Sequence, residues 1–92
     1  MVSAPVIVRN SLGLHARAAN VLASVANEFI AKVELEDEFT GRRADAKSIM
    51  QLLMMAAGQG SKLVLHVDGS DQETAVKRIV DLFSNGFGES CE

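Results

Sequence analysis

The sequence contains no tryptophan or tyrosine, and it has only four phenylalanines, one proline and one cysteine. A core without large aromatic side chains must be aliphatic, and 48% of the 92 residues are hydrophobic. The single cysteine, Cys91, cannot form an internal disulfide, and we expect it to be exposed and without a role. Such cysteine usage is typical of a reducing compartment, so we expect a cytoplasmic protein.

An excess of positive charge is also missing, because nine Lys and Arg stand against 12 Asp and Glu, for a formal net charge of -3. Nucleic acids select basic faces, so we expect no nucleic-acid partner. No apolar run approaches a membrane span, and the N-terminus lacks the pattern of a secretory signal. Two histidines and a terminal cysteine make no credible metal set, so we expect neither a metal nor another cofactor.

Hydrophobic periodicity predicts four strands and three helices within one domain over residues 1–92. In chain order these are a strand at 6–8, a helix at 16–29, strands at 32–36 and 42–46, a helix at 48–57, a strand at 63–67 and a helix at 70–86. Pro5 has no N–H for a ladder and predicts that the first strand lies at a sheet edge. Residues 10–14 are predicted to form a loop.

The order βαββαβα predicts an α+β fold in which a four-stranded antiparallel sheet carries three helices on one face. The other face meets water and carries Lys32, Glu34, Glu36 and His66. We interpret His66 as an ordinary surface residue.

Two helices begin at sequences typical of a capping box. In the first, Ser48 accepts from the N–H of Gln51, whose side chain reaches back; the second is Ser70 to Glu73. On the helix after Ser48, one apolar set is expected to face the sheet, and Met50 and Met54 are left partly exposed. The inward set is Ile49, Leu52, Leu53 and Ala56.

His15 is the residue best placed for chemistry, because it lies between a Leu-Gly-Leu loop and the start of a helix. The free N–H groups and the dipole of a helix N-terminus favour a bound anion. Arg17 adds a guanidinium to the same site. On these residues alone, an ordinary loop histidine remains the other interpretation.

Two motifs resemble the HPr family, the histidine-containing phosphocarriers of the phosphoenolpyruvate phosphotransferase system. The first is Leu12-Gly-Leu-His-Ala-Arg-Ala-Ala19, which resembles the family's active-site segment. The second is Lys47-Ser48-Ile49-Met50, which is similar to its regulatory serine region. The resemblance covers essentially the whole chain, and it implies the open-faced β-sandwich of the family.

The resemblance implies a monomeric phosphoryl carrier that is a substrate and donor of other enzymes and has no turnover of its own. Enzyme I would phosphorylate His15 on Nδ1, and Arg17 would help to hold the phosphoryl group. The group would then pass to A-type domains of sugar permeases or of regulators. Met50 and Leu53 would contribute to partner docking. Ser48 would be a regulatory phosphorylation site for HPr kinase/phosphorylase where the organism has one.

Three features of the sequence leave alternatives open. The family usually has proline where this chain has Ala18, which leaves the rigidity of the site and the transfer rate in question. Residues 47–50 resemble the sugar-transport carriers, whereas the run at 48–54 and the ending at 82–87 resemble a nitrogen-branch regulatory paralogue. A non-phosphorylated regulatory or ligand-binding domain of ferredoxin-like fold has the same element order but a central first strand.

Overall fold

The computed structural model describes residues 1–89, so the prediction for Cys91 lies outside the described residues. The predicted order βαββαβα is confirmed, and a 3₁₀ turn at Gly86–Gly88 follows it. The strands are β1 (Val2–Ile7), β2 (Lys32–Asp37), β3 (Arg43–Asp45) and β4 (Lys62–Asp68), and the helices are α1 (Ala16–Ala26), α2 (Ile49–Met55) and α3 (Gln72–Ser84).

The four strands form one antiparallel sheet in the order β1-β4-β2-β3. β1 pairs only with β4, and Pro5 stands opposite Val64. The edge position predicted from Pro5 is confirmed, because an edge strand tolerates a residue without an N–H. The ferredoxin-like alternative is wrong, since it requires β1 in the centre of the sheet.

The core lies between one face of the sheet and the helices. Alternate residues of β2 and β4 point into it and are fully buried; these are Val33, Leu35, Leu63, Leu65 and Val67. They belong to the same cluster as the buried faces of α1, α2 and α3, so the helices cover one face as predicted. Each such side chain stabilises the fold by about 1.5–3 kcal/mol through its removal from water.

The other face of the sheet carries a polar network across its strands. His66 on β4 bonds through Nδ1 to Ser3 Oγ at 2.8 Å and through Nε2 to Glu36 at 2.9 Å. Arg43 pairs with Glu34 and Glu36. The hydrogen bond from His66 is the main cause that holds the pKa of Glu36 below its ordinary value. The side chain of His66 is 15% exposed, so it is partly buried within this network on the polar face.

The predicted capping boxes form only in part. Ser48 Oγ accepts from the N–H of Gln51 at 3.2 Å, but the Gln51 side chain accepts from the N–H of Asp45 instead of reaching back to Ser48. At α3 the box is wrong, because the helix begins one residue later than Ser70 would allow, with Asp71 as its N-cap. The Asp71 carboxylate accepts from the backbone N–H groups that precede β2, so a long-range contact replaces the local one.

The buried face of α2 differs from the predicted one. Leu52 and Met55 are buried, whereas Ile49 and Leu53 are 40% and 38% exposed. The helix has seven residues and stops at Ala56, which adopts a left-handed conformation with φ +53° and is itself exposed. A helix this short presents only one narrow stripe to the core. The exposure of Met50 and Met54, at 68% and 69%, is confirmed.

Candidate functional site

The loop before His15 is braced against the segment that follows α2. The Leu14 N–H donates to the carbonyl of Ala57 at 2.9 Å. Gly13 has φ +69°, and a Cβ added to it would lie 2.5 Å from that same carbonyl oxygen. Only glycine combines this conformation with this approach. The predicted loop is therefore held in place by the glycine of the Leu-Gly-Leu sequence.

His15 is the N-cap residue of α1, but its side chain does not cap the helix. Its carbonyl accepts the first helical hydrogen bond, from the N–H of Ala19 at 2.9 Å. The N–H groups of residues 16–18 come before this bond and have no partner within the helix. The His15 side chain is 30% exposed, so a reacting group from outside can reach it.

Arg17 lies on the first turn of α1 and is exposed. Among residues 1–89 it forms no ion pair. Its charge acts on the carboxylate of Glu89 and contributes to lowering the pKa of that group. Arg17 and His15 therefore share one electrostatic environment at the start of α1.

Two residues of this site were missed by the sequence analysis. The Glu89 carboxylate bonds to His15 Nε2, with oxygens at 2.9 and 3.0 Å. Asn10 is fully buried, and its amide donates to Glu89 at 2.9 Å. The two contacts join residues 74 and 79 positions apart, so no local pattern indicates them. The only sequence signal was a carboxylate after the glycines near the end of α3.

Ser48 and His15 lie at opposite ends of the α1–α2 pair. The start of α1 bonds to the segment after α2 through Leu14 and Ala57, and the Asn27 side chain at the end of α1 donates to the carbonyl of Lys47. The helices therefore run antiparallel. The 12 residues from His15 to Asn27 span about 18 Å of helix. A charge on Ser48 would thus lie far from His15.

Among residues 1–89, no three His, Cys, Asp or Glu side chains lie together in an arrangement that would hold a metal ion. In the same part of the chain, no helix has the length and apolarity needed to cross a membrane.

Comparison with known proteins identifies the family to which this site belongs. The family model "PTS HPr component phosphorylation site" matches residues 2–85. Phosphocarrier protein HPr of Cupriavidus necator is 45% identical over 80 residues, which cover 87% of this chain and 88% of that protein. The crystal structure of HPr-C-His from Thermoanaerobacter tengcongensis has a TM-score of 0.91 at 33% identity, covering 98% of this chain and 99% of that one. Crh of Bacillus subtilis, described as a swapped dimer, has a TM-score of 0.73 at 34% identity, covering 94% and 97%. The chain belongs to the HPr family of phosphocarrier proteins of the phosphotransferase system.

Proposed function

We propose that this protein accepts a phosphoryl group on His15 from phosphorylated Enzyme I and passes it to A-type domains of sugar permeases or regulators. The observation that carries the proposal is the position of His15. It is a reachable imidazole at the N-cap of α1, it leaves the helix uncapped, and it lies in the region that the family model matches. A nucleophile and an anion site therefore coincide.

The start of α1 can hold the transferred group. A phosphoryl group brings a charge of about -1.5 to -2 at neutral pH and strong acceptor oxygens. The N–H groups of residues 16–18 and the positive end of the helix dipole favour such a group. Arg17 supplies a guanidinium from the same turn, and its exposed side chain is free to move toward the phosphoryl oxygens.

The same proposal covers the other properties of the protein. The 92 residues act as one monomeric, cytoplasmic carrier that needs no cofactor and is itself a transient intermediate of transfer. The nitrogen-branch role is the alternative within the family. Incubation with a sugar-type or a nitrogen-type Enzyme I, in parallel, distinguishes the two branches by the faster phosphorylation.

Partners are proposed to dock on the exposed apolar surface of α2. Met50 is 68% exposed and Leu53 is 38% exposed, and Met54 extends the same surface. The carbonyl after α2 bonds to the loop that carries His15, so this surface is continuous with the site through the backbone. Flexible methionine side chains suit contact with several different partners.

Ser48 is proposed as a regulatory site for HPr kinase/phosphorylase. Its hydroxyl is the N-cap of α2, so a phosphate there would meet the same helix start that the hydroxyl now caps. Because Ser48 lies next to Met50 and far from His15, phosphorylation is expected to act on docking.

The proposal is tested with purified Enzyme I and phosphoenolpyruvate. We expect one acid-labile phosphoryl adduct on the wild-type protein and none on His15→Ala. His66→Ala is the matched control, because it removes the other histidine and should leave the adduct in place. An adduct that persists in His15→Ala, or its absence from the wild-type protein, would refute the proposed function.

A further inference from the structure

The carboxylate of Glu89 is held between two residues of the loop before α1. Its oxygens lie 2.9 and 3.0 Å from His15 Nε2, and Oε1 also accepts from the Asn10 amide at 2.9 Å. The Glu89 side chain is 13% exposed and Asn10 is fully buried. A carboxylate this enclosed, with two side-chain partners from one loop, is part of the site.

The orientation of Asn10 follows from its neighbours. Its Nδ2 group lies 2.7 Å from the carbonyl of Gly13 and 2.9 Å from Glu89 Oε1, so two acceptors face it. Rotating the amide would place its oxygen against both of them. The Asn10 Oδ1 atom is buried without a hydrogen-bond partner among residues 1–89. A buried acceptor without a partner costs about 1–3 kcal/mol, so the amide is committed to holding Glu89 and the loop despite that penalty.

The contact with Glu89 decides which nitrogen of His15 carries the proton. The hydrogen bond from His15 is the main cause that holds the pKa of Glu89 below its ordinary value of 4.5, so the carboxylate is ionised at neutral pH. An ionised carboxylate only accepts, which requires a proton on Nε2. In the neutral ring Nδ1 then carries the lone pair, and it accepts no hydrogen bond from residues 1–89.

We propose that Glu89 is the positioning residue of His15: held by Asn10, its carboxylate keeps the proton on Nε2 and leaves Nδ1 as the atom that takes the phosphoryl group. This inference rests on the proposed function and adds a cause for the choice of nitrogen. Sequence resemblance implies Nδ1, but it gives no reason for that choice.

The proton on His15 Nε2 stays in place while the phosphoryl group is transferred. The lone pair of Nδ1 forms the new bond to phosphorus, and the bond between phosphorus and the donor atom of Enzyme I breaks with its electron pair left on the donor. Because Nε2 keeps its proton, the ring becomes positively charged. Glu89 faces that charge, and in the onward step the ring leaves as neutral imidazole. One carboxylate thus stabilises the charged ring formed in both directions of transfer.

The experiment compares Glu89→Gln with Glu28→Gln. Glu28 is exposed just beyond α1, so its replacement removes one negative charge outside the site. A glutamine at 89 can accept from a protonated Nε2 or donate to a bare one, so it no longer selects a tautomer. Nitrogen-15 chemical shifts of the neutral His15 ring, recorded in alkaline solution, report the two tautomers directly, and the His66 signals serve as an internal reference.

We expect only the Nε2-protonated ring in the wild-type protein and in Glu28→Gln, and a mixture with an Nδ1-protonated form in Glu89→Gln. The kcat of phosphorylation by Enzyme I should fall about tenfold in Glu89→Gln, the size expected for one lost charge-assisted hydrogen bond, with KM unchanged. A ring still protonated only on Nε2, or a kcat equal to that of Glu28→Gln, overturns the inference. If the wild-type protein takes no phosphoryl group, the proposed function fails, and the tautomer measurement still decides whether Glu89 positions the ring.

Discussion

Replacing Gly13 with alanine tests how the loop before His15 is braced. The new Cβ would lie 2.5 Å from the Ala57 carbonyl oxygen and 2.9 Å from the Gly58 Cα, whereas ordinary contact begins at 3.4 Å. The carbonyl or the loop must therefore withdraw by about 0.9 Å. That oxygen accepts from the Leu14 N–H at 2.9 Å, and the same displacement stretches the bond beyond its useful range.

The expected loss of stability has two parts. A non-glycine residue at φ +69° costs about 1–2 kcal/mol, and the lost hydrogen bond costs about 1 kcal/mol more. Gly41→Ala is the control for the first part alone, since Gly41 has φ +76° and nothing within 4 Å of an added Cβ. Gly58→Ala has neither cost. All three changes alter the unfolded chain in the same way, so that contribution cancels in the comparison.

Urea unfolding measures the free energies, and transfer from Enzyme I measures the site. Gly13→Ala should lose about 1 kcal/mol more than Gly41→Ala, which corresponds to a Tm lower by roughly 4–8 °C. A loop displaced by this amount should slow phosphorylation of His15 by about tenfold to a hundredfold, whereas Gly58→Ala keeps the wild-type rate. Equal losses of stability in Gly13→Ala and Gly41→Ala would refute the bracing of the loop.

Four further changes address docking, regulation, the departure at Ala18 and acid stability. Met50→Glu should raise the KM of Enzyme I for this protein and leave the urea midpoint unchanged, because the Met50 side chain is 68% exposed. The control is Ile30→Glu, which should leave the KM at its wild-type value, because Ile30 is 84% exposed but lies outside α2. Ser48→Asp keeps a good N-cap and should raise the same KM without lowering kcat; a lower kcat at constant KM would contradict the distance between Ser48 and His15. Ala18→Pro removes an N–H that has no partner in α1 and should raise the free energy of unfolding by about 0.4–1 kcal/mol. A decrease in the free energy of unfolding would show that the proline ring does not fit beside the core. The N–H groups of Ile30 and Ala31 hold the pKa of Asp71 below its ordinary value of 3.8, so the stability that they confer is present above about pH 4 and is lost as pH falls through the lowered pKa. The urea midpoints of the wild-type protein and Asp71→Asn should therefore converge in acid. A constant difference between the two midpoints from about pH 7 to about pH 2 would contradict this cause.

The regular elements were predictable where their patterns are local. The alternation of Val33 and Leu35 gave the inward face of β2, and Pro5 indicated an edge strand. The ends of helices were less predictable, since α1 stops at Ala26 rather than near Phe29. Phe29 is partly buried beyond the end of α1, and its spacing from the apolar residues of α1 matched one more helical turn.

The predicted cap of α3 did not form, because a distant part of the chain supplied other partners. Ser70 and Asp71 both have side chains that cap helices well. In the structure Asp71 instead binds two N–H groups 40 and 41 residues away, which fastens the start of α3 to the start of β2. Whether Asp71 accepts from its own helix or from the N–H groups before β2 depends on where that other segment packs. The residues next to Asp71 in the sequence do not carry this information.

The sequence by itself determined the order of elements and the residues placed at the start of α1, because hydrophobic period, proline and the spacing of His15 and Arg17 act over a few residues. Tertiary structure alone decided which residues complete the site. Glu89 meets His15 and Asn10 only because the segment after α3 packs beside the loop before α1, and these contacts bridge 74 and 79 residues of chain. Hydrogen bonds form between atoms about 3 Å apart in space, whatever their separation along the chain, so the partner of His15 could be identified only in the folded chain.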